Sequence, residues 1–203
     1  MVPLLHIYMA DLTDIITSRV RVKLIELFLS DVTELYHVRG VTRKTGEEIN
    51  AVRRELERLH QCGFLSSETR GNRLYYWIRK EYDFFGDLLS IVAKSTGLGK
   101  EIIDNKKKVG KLAFVMFSGK FTRRKKRKKD DEVDVLIVGN DVILPELAAV
   151  IRKEESIRAH EINYTVMSRD EFIFRKKRRD PFLLGILSES RVMIIGDEED
   201  LIG

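Results

Sequence analysis

Cysteine is nearly missing from this sequence. Cys62 stands alone among 203 residues, which excludes an internal disulfide framework and suits a reducing cytoplasm. Long apolar runs are missing too, and no stretch approaches the ~20 residues that a membrane span needs. The apolar start over 2–9 has no basic residue ahead of it and is soon interrupted by Asp11 and Asp14, so it does not read as a signal peptide. No internal repeat is visible. What remains is a soluble globular composition, 34% of it charged, long enough for two domains of ordinary size, each with its own core. Charge is distributed unevenly. The net excess is +5, yet residues 120–129 hold eight basic side chains and no acid. The rest of the chain is therefore net acidic.

The stretch over 45–63 organises the N-terminal half. Thr45 and Glu48 have capping-box spacing, in which each side chain satisfies a free N–H at the helix start. Ile49, Val52, Leu56 and Leu59 recur at helical spacing, and Gly63 supplies the stop. Asn50, Arg53, Arg54, Glu57 and Arg58 occupy the outer face. Ahead of this helix, residues 37–44 suffice for a short helix, followed by a tight turn through Gly46. The pattern is a helix-turn-helix with residues 45–62 as recognition helix. Outward arginines are more often a solvated face, and that alternative stays open on this stretch alone.

The flanks favour the first reading. Ser18 opens a helix with Val20, Leu24, Ile25 and Phe28 inward, ending near Asp31. After Gly63, residues 64–70 and 73–79 are β-compatible runs joined by Gly71-Asn72, a two-residue hairpin turn. Helix, helix-turn-helix and hairpin make the order of a winged helix. Asn50, Arg53 and Arg54 are placed to approach bases in the major groove of duplex DNA, and Arg43, Lys44, Arg70 and Arg73 to meet its phosphates. Residues 1–16 read equally as a short strand or as an arm on a partner subunit. Over 81–99, Phe84, Phe85, Leu88, Leu89 and Val92 form a helical stripe followed by the breakers Gly97 and Gly99. The stripe fits either a homodimer contact or packing within one chain.

The second half alternates between helix and strand. Helices are expected over 100–108 and 144–154, and strands over 112–117, 133–138, 161–166 and 192–195. Ser168 and Glu171 make another capping box, and Asp180-Pro181 starts a helix with Pro at its first position. The expected division is residues 1–80 as a winged-helix DNA-binding domain, 81–99 as a linker or dimerisation helix, and 100–203 as an α/β domain. The fold class is thus α/β and α+β in two domains, the second a mixed sheet with flanking helices.

Phe117-Ser118-Gly119, a polar loop, and then residues 132–138 (EVDVLIV) resemble the minimal nucleotidyltransferase fold; residues 160–166 and 180–183 look like its later strand and helix. The N-terminal half looks like the ArsR-type winged-helix regulators. Together they resemble prokaryotic, mainly archaeal, regulators that fuse the two. In that enzyme fold a Gly-Ser pair holds nucleotide phosphates, and two strand aspartates hold Mg²⁺ while a third carboxylate activates the acceptor. Here the pair is inverted to Ser118-Gly119 with Lys120 next. Glu132 replaces the first aspartate, Asp134 keeps the second, and Asn163, neither acid nor base, takes the third place. Glu161, two residues earlier, is the possible substitute.

Two basic blocks complete the inventory, residues 120–129 and 175–179. The first reads as a solvated loop or as a nucleic-acid phosphate contact through Ser118, Gly119, Lys120, Arg123, Arg124, Lys125, Lys126 and Arg127. Its composition also fits a nuclear localisation signal, which the prokaryotic resemblance does not. The resemblance implies a cytoplasmic, homodimeric transcription regulator that binds double-stranded DNA, contacts no membrane, requires no cofactor and has lost catalysis. The alternative is an active nucleotidyltransferase brought to its substrate by the winged helix, with Glu132, Asp134 and Glu161 catalytic, Glu132 and Asp134 on the metal, and Mg²⁺ and a nucleoside triphosphate required.

Overall fold

The computed structural model describes Thr13 and residues 16–123 and 132–203. The expected N-terminal arm and residues Arg124, Lys125, Lys126 and Arg127 lie outside the described residues. Within them the chain is a mixed α/β protein with two sheets and eleven helices.

Helix α1 (Arg19–Ser30) starts as expected: the Ser18 hydroxyl accepts the Arg21 N–H at 3.3 Å, and Val22, Leu24, Ile25, Phe28 and Leu29 are buried at helical spacing. A two-residue strand, β1 (Tyr36–His37), precedes α2 (Val38–Thr45). Gly46, at φ +69°, closes α2 by donating its N–H to the Thr42 carbonyl at 2.9 Å. Next come α3 (Ile49–Gln61) and the hairpin of β2 (Leu65–Arg70) and β3 (Arg73–Ile78). Arg70 pairs opposite Arg73, and in the turn between them Gly71 takes a positive φ of +57°. The three strands form one sheet in the order β1-β3-β2.

The second half contains α4 (Phe85–Ser95), α5 (Gly97–Asp104), α6 (Lys106–Val109), β4 (Lys111–Ser118), α7 (Gly119–Thr122), β5 (Val135–Asn140) and α8 (Leu144–Arg158). They are followed by β6 (Tyr164–Met167), α9 (Arg169–Lys177), α10 (Pro181–Ser188), β7 (Arg191–Ile195) and α11 (Glu198–Ile202). The sheet order is β6-β5-β4-β7, with β5 and β6 parallel and the other pairs antiparallel. Side-chain alternation gives it two apolar faces. Val115, Phe117, Ile137 and Ile194 join a large core shared with α1, α3, α4, α5 and α8. Phe114, Met116, Leu136 and Val138 face a smaller core with Phe172 of α9, Leu183 of α10 and Leu201 of α11. Helix α4 connects the halves, since its buried Phe85, Leu89 and Val92 lie in the large core and it contacts both α1 and β7.

Several local expectations are corrected. Thr45 does not cap α3: it ends α2, and its hydroxyl donates back to the Val41 carbonyl at 2.9 Å. Glu48 is the cap instead, its carboxylate accepting the Asn50 and Ala51 N–H groups at 2.8 Å each. Gly97 breaks the chain direction at φ +52°, but Gly99 lies inside α5, where a Cβ would collide with the Ala93 carbonyl. The helix expected over 100–108 is divided at Asn105 into α5 and α6. The strand expected from residue 161 begins at Tyr164, and that expected from 133 begins at Val135. At Ser168 one half of the box forms, with the hydroxyl accepting the Glu171 N–H, while the Glu171 carboxylate pairs with Arg175.

Candidate functional site

Helix α3 is fixed against the core by a buried acid. Glu55 accepts hydrogen bonds from Ser18 Oγ at 3.1 Å, Arg21 Nε at 2.9 Å and Arg58 Nη1 at 3.3 Å. Burial alone pushes this carboxyl up, but the bonds from Arg21 and Ser18 outweigh it and hold it below the ordinary 4.5. With Val52, Leu56 and Leu59 buried beside it, α3 presents Asn50, Arg53, Arg54, Glu57 and Arg58 to solvent, as the outer-face assignment expects.

Two hollows open between that face, α2 and the hairpin. The larger, about 800 Å³, brings together Arg53 and Arg54 of α3, Arg39 of α2 and Arg73 of β3, with Glu57 the acid on its wall. The second, about 530 Å³, shares His37, Arg39 and Arg73 and adds Arg43. Arg39, Arg43, Arg53, Arg54 and Arg73 make no ion pair among the described residues. The N-terminal N–H groups of α3 are already taken by Glu48, whose carboxyl those backbone bonds, and then Arg54 and Arg53, hold below 4.5. Contact with an anion at this face therefore falls to side chains rather than to the helix terminus.

The expected DNA residues do not all converge. Asn50 is exposed on α3, and Lys44, its ammonium 5.5 Å from the centre of the Tyr36 ring, flanks the hollows; neither lines them. Arg70 is bonded to Glu68 at 2.9 Å at the hairpin tip. Sequence reasoning missed Arg39 and His37. Arg39 lies within the short helix α2, and placing its face required the packing of α2 on α3 and on β1, which pairs with β3.

The other expected site is a cleft of about 560 Å³ lined by Ser118, Lys120, Glu132, Asp134, Phe182 and Glu189, among others. The ammonium of Lys120 donates to Glu132 at 2.9 Å and stands 3.5 Å from Glu189, and the bond to Glu132 raises its pKa most. Asp134 is buried, and its Oδ2 accepts the Asn163 N–H at 3.0 Å. The Asn163 carbonyl accepts the Asp134 N–H at 2.7 Å, and its side-chain amide donates to the Glu132 carbonyl at 3.3 Å. Ser118 Oγ caps the one-turn α7, and Gly119 lies against Ser190, where a Cβ would clash. Glu132 and Asp134 both line the cleft, though from the segment leading into β5 rather than from the strand. Glu161 is exposed and precedes β6, and neither it nor Asn163 lines the cleft. Arg123 packs its guanidinium 5.9 Å from the Phe85 ring of α4, away from the cleft lining. Among the described residues no group of three His, Cys, Asp or Glu side chains is arranged to hold a metal.

No family model, curated protein or solved structure matches this chain. No helix among the described residues is long and apolar enough to cross a membrane.

Proposed function

We propose that this chain is a sequence-specific transcription regulator that reads duplex DNA with α3 and grips it with the hairpin, in the manner of a winged helix. The observation that carries this is the gathering of Arg39, Arg43, Arg53, Arg54 and Arg73, from three elements, around two hollows that share Arg39 and Arg73, without ion-pair partners among the described residues. Cations left unpaired beside one another repel, so the arrangement suits a polyanion that neutralises them. The regulator acts in the cytoplasm as a homodimer, its two grooves spaced for successive turns of the duplex.

The α/β half is nucleotidyltransferase-like and does not transfer nucleotides. Three features support this reading. Lys120 engages Glu132, Asp134 accepts a backbone N–H from Asn163, and Asn163 itself supplies neither charge nor base. Magnesium and a nucleoside triphosphate would enter only if Glu132 and Asp134 held the metal, and transfer of label abolished by Asp134→Ala would establish that alternative.

Duplex binding followed by fluorescence anisotropy tests the main reading. Affinity should fall with rising salt, log K changing by about 0.9 per phosphate neutralised for each unit of log salt. Selection from a random pool should enrich a preferred sequence. Absence of duplex binding at low salt overturns it.

A further inference from the structure

A cavity of about 350 Å³ lies at the seam between the two halves and shares no lining residue with either site above. Its wall is mostly apolar, with Leu29 of α1, Leu89 of α4, Leu98 of α5, Phe117 of β4, Phe121 of α7 and Ile157 of α8, while the hydroxyls of Ser30, Thr96 and Thr122 donate to nearby backbone carbonyls. Of these apolar residues all but Ile157 are buried, and Ile157, 69% exposed, stands at the mouth. Two charged groups break the apolar lining. Glu154 is buried, and its Oε1 accepts the Arg158 Nε–H at 2.6 Å. The Arg158 guanidinium lies 4.2 Å from the centre of the Phe121 ring, which holds it in place.

This pair is incompletely satisfied. Glu154 Oε2 accepts no hydrogen bond from the described residues, and the terminal N–H groups of Arg158 donate none. The backbone opposite is bare: Gly97, at φ +52°, carries no Cβ, and one placed there would stand 3.2 Å from Oε1 and 3.5 Å from Oε2. Neither Glu154 Oε2 nor the terminal nitrogens of Arg158 is among the fully buried polar atoms without a partner, so water reaches them and a ligand in the cavity can take its place. The volume corresponds to roughly ten waters in the liquid, and apolar walls with a few convergent polar groups are the usual make-up of a small-molecule pocket.

We propose that this cavity is a binding site for a small, flat, uncharged molecule carrying an N–H beside a C=O, a lactam or carboxamide edge. A net-neutral pair does not select for charge. It offers an acceptor at Glu154 and donors at Arg158, and a lactam edge presents the complementary donor and acceptor together. The apolar remainder of the ligand replaces water against Leu89, Leu98 and Phe117. The site involves no residue of the DNA-binding groove, so its test needs no DNA and its failure leaves the regulator reading untouched.

The test uses the full chain and 2-quinolone as probe, followed by NMR of leucine methyl groups. Saturable shifts are expected at Leu89 and Leu98, with quinoline, which lacks the N–H and C=O, binding about tenfold more weakly or worse. Glu154→Ala should abolish the preference for the lactam. Because that change strands Arg158 and threatens the fold, Ile157→Trp at the exposed mouth provides the second arm. It should preserve the spectrum and weaken 2-quinolone by about tenfold or more. No saturable shift in the folded wild-type chain at millimolar probe, or equal binding of quinoline, overturns the proposal.

Discussion

Arg53 and Arg73 face one groove from different elements, and that difference determines what each does. Arg53 projects from α3, the proposed recognition helix, whereas Arg73 begins β3 at the hairpin tip. Arg53→Ala should relax preference at one position of the selected site, costing about 1–3 kcal/mol there. Arg73→Ala should weaken all sequences alike and reduce the salt slope by about one. Competition binding against a set of single-base variants separates the two outcomes. Glu55 makes a different demand, on stability. Its carboxyl is held below 4.5 in the folded chain, so its contribution is fully present above the unfolded value and is lost as pH falls through the folded one. Glu55→Gln should therefore be less stable than the wild type near neutrality and should lose less stability on acidification below 4.5. Thermal melts across the acid range measure both effects, and an unchanged acid slope would remove Glu55 from the account.

At the scale of elements, the helices with strong stripes and the hairpin were legible in the sequence, and the failures have physical reasons. Glutamate is not among the preferred cap residues, so the pattern put the cap at Thr45, whereas the αL turn at Gly46 leaves Glu48 at the N-cap of α3. Strand β1 is two residues long and exists only through pairing with β3, Tyr36 opposite Tyr76, which no local periodicity announces. The segment at 161–163 has only Ile162 to bury, the Asn163 carbonyl takes the N–H groups of both Asp134 and Val135 at the sheet's end, and Glu161 is left exposed before β6. The groove was legible in part: Arg53, Arg54 and Arg73 follow from periodicity and turn chemistry, while Arg39 requires tertiary placement. Gly99 shows the same limit, since composition marks it as a breaker and packing makes it a contact. Gly99→Ala should lower Tm, because overpacking against the Ala93 carbonyl costs about 1–3 kcal/mol, more than the ~1 kcal/mol that alanine adds in helix propensity. A Tm equal to or above the wild type would show that α4 and α5 separate freely.

For the whole molecule, the proposed regulator requires two copies of the groove to serve one operator. The stripe on α4 is largely consumed within the chain: Phe85, Leu89 and Val92 are buried, and Leu88 packs on the large core. Phe84 and Ile91 are 60% and 42% exposed, and the proposed homodimer would use them as its apolar contact. Sedimentation at micromolar concentration should give a dimer, and Phe84→Asp with Ile91→Asp should give folded monomers that bind the selected duplex less tightly. A monomeric wild type removes the dimer from the proposal.

The shared core gives the seam one more consequence. Proteins assembled from detachable modules can exchange them, because each module carries its own interior. Here Val22 of α1, Leu89 of α4 and Ile194 of β7 belong to one continuous apolar interior. A chain cut after residue 80 would bare one side of α1, and the remaining piece would expose the face of α4 that α1 now covers. The two parts should therefore melt as one event, with a calorimetric enthalpy equal to the van't Hoff value. Grafting the N-terminal part onto an unrelated partner would then require carrying α4 along and supplying a new surface in place of Val115, Ile137 and Ile194.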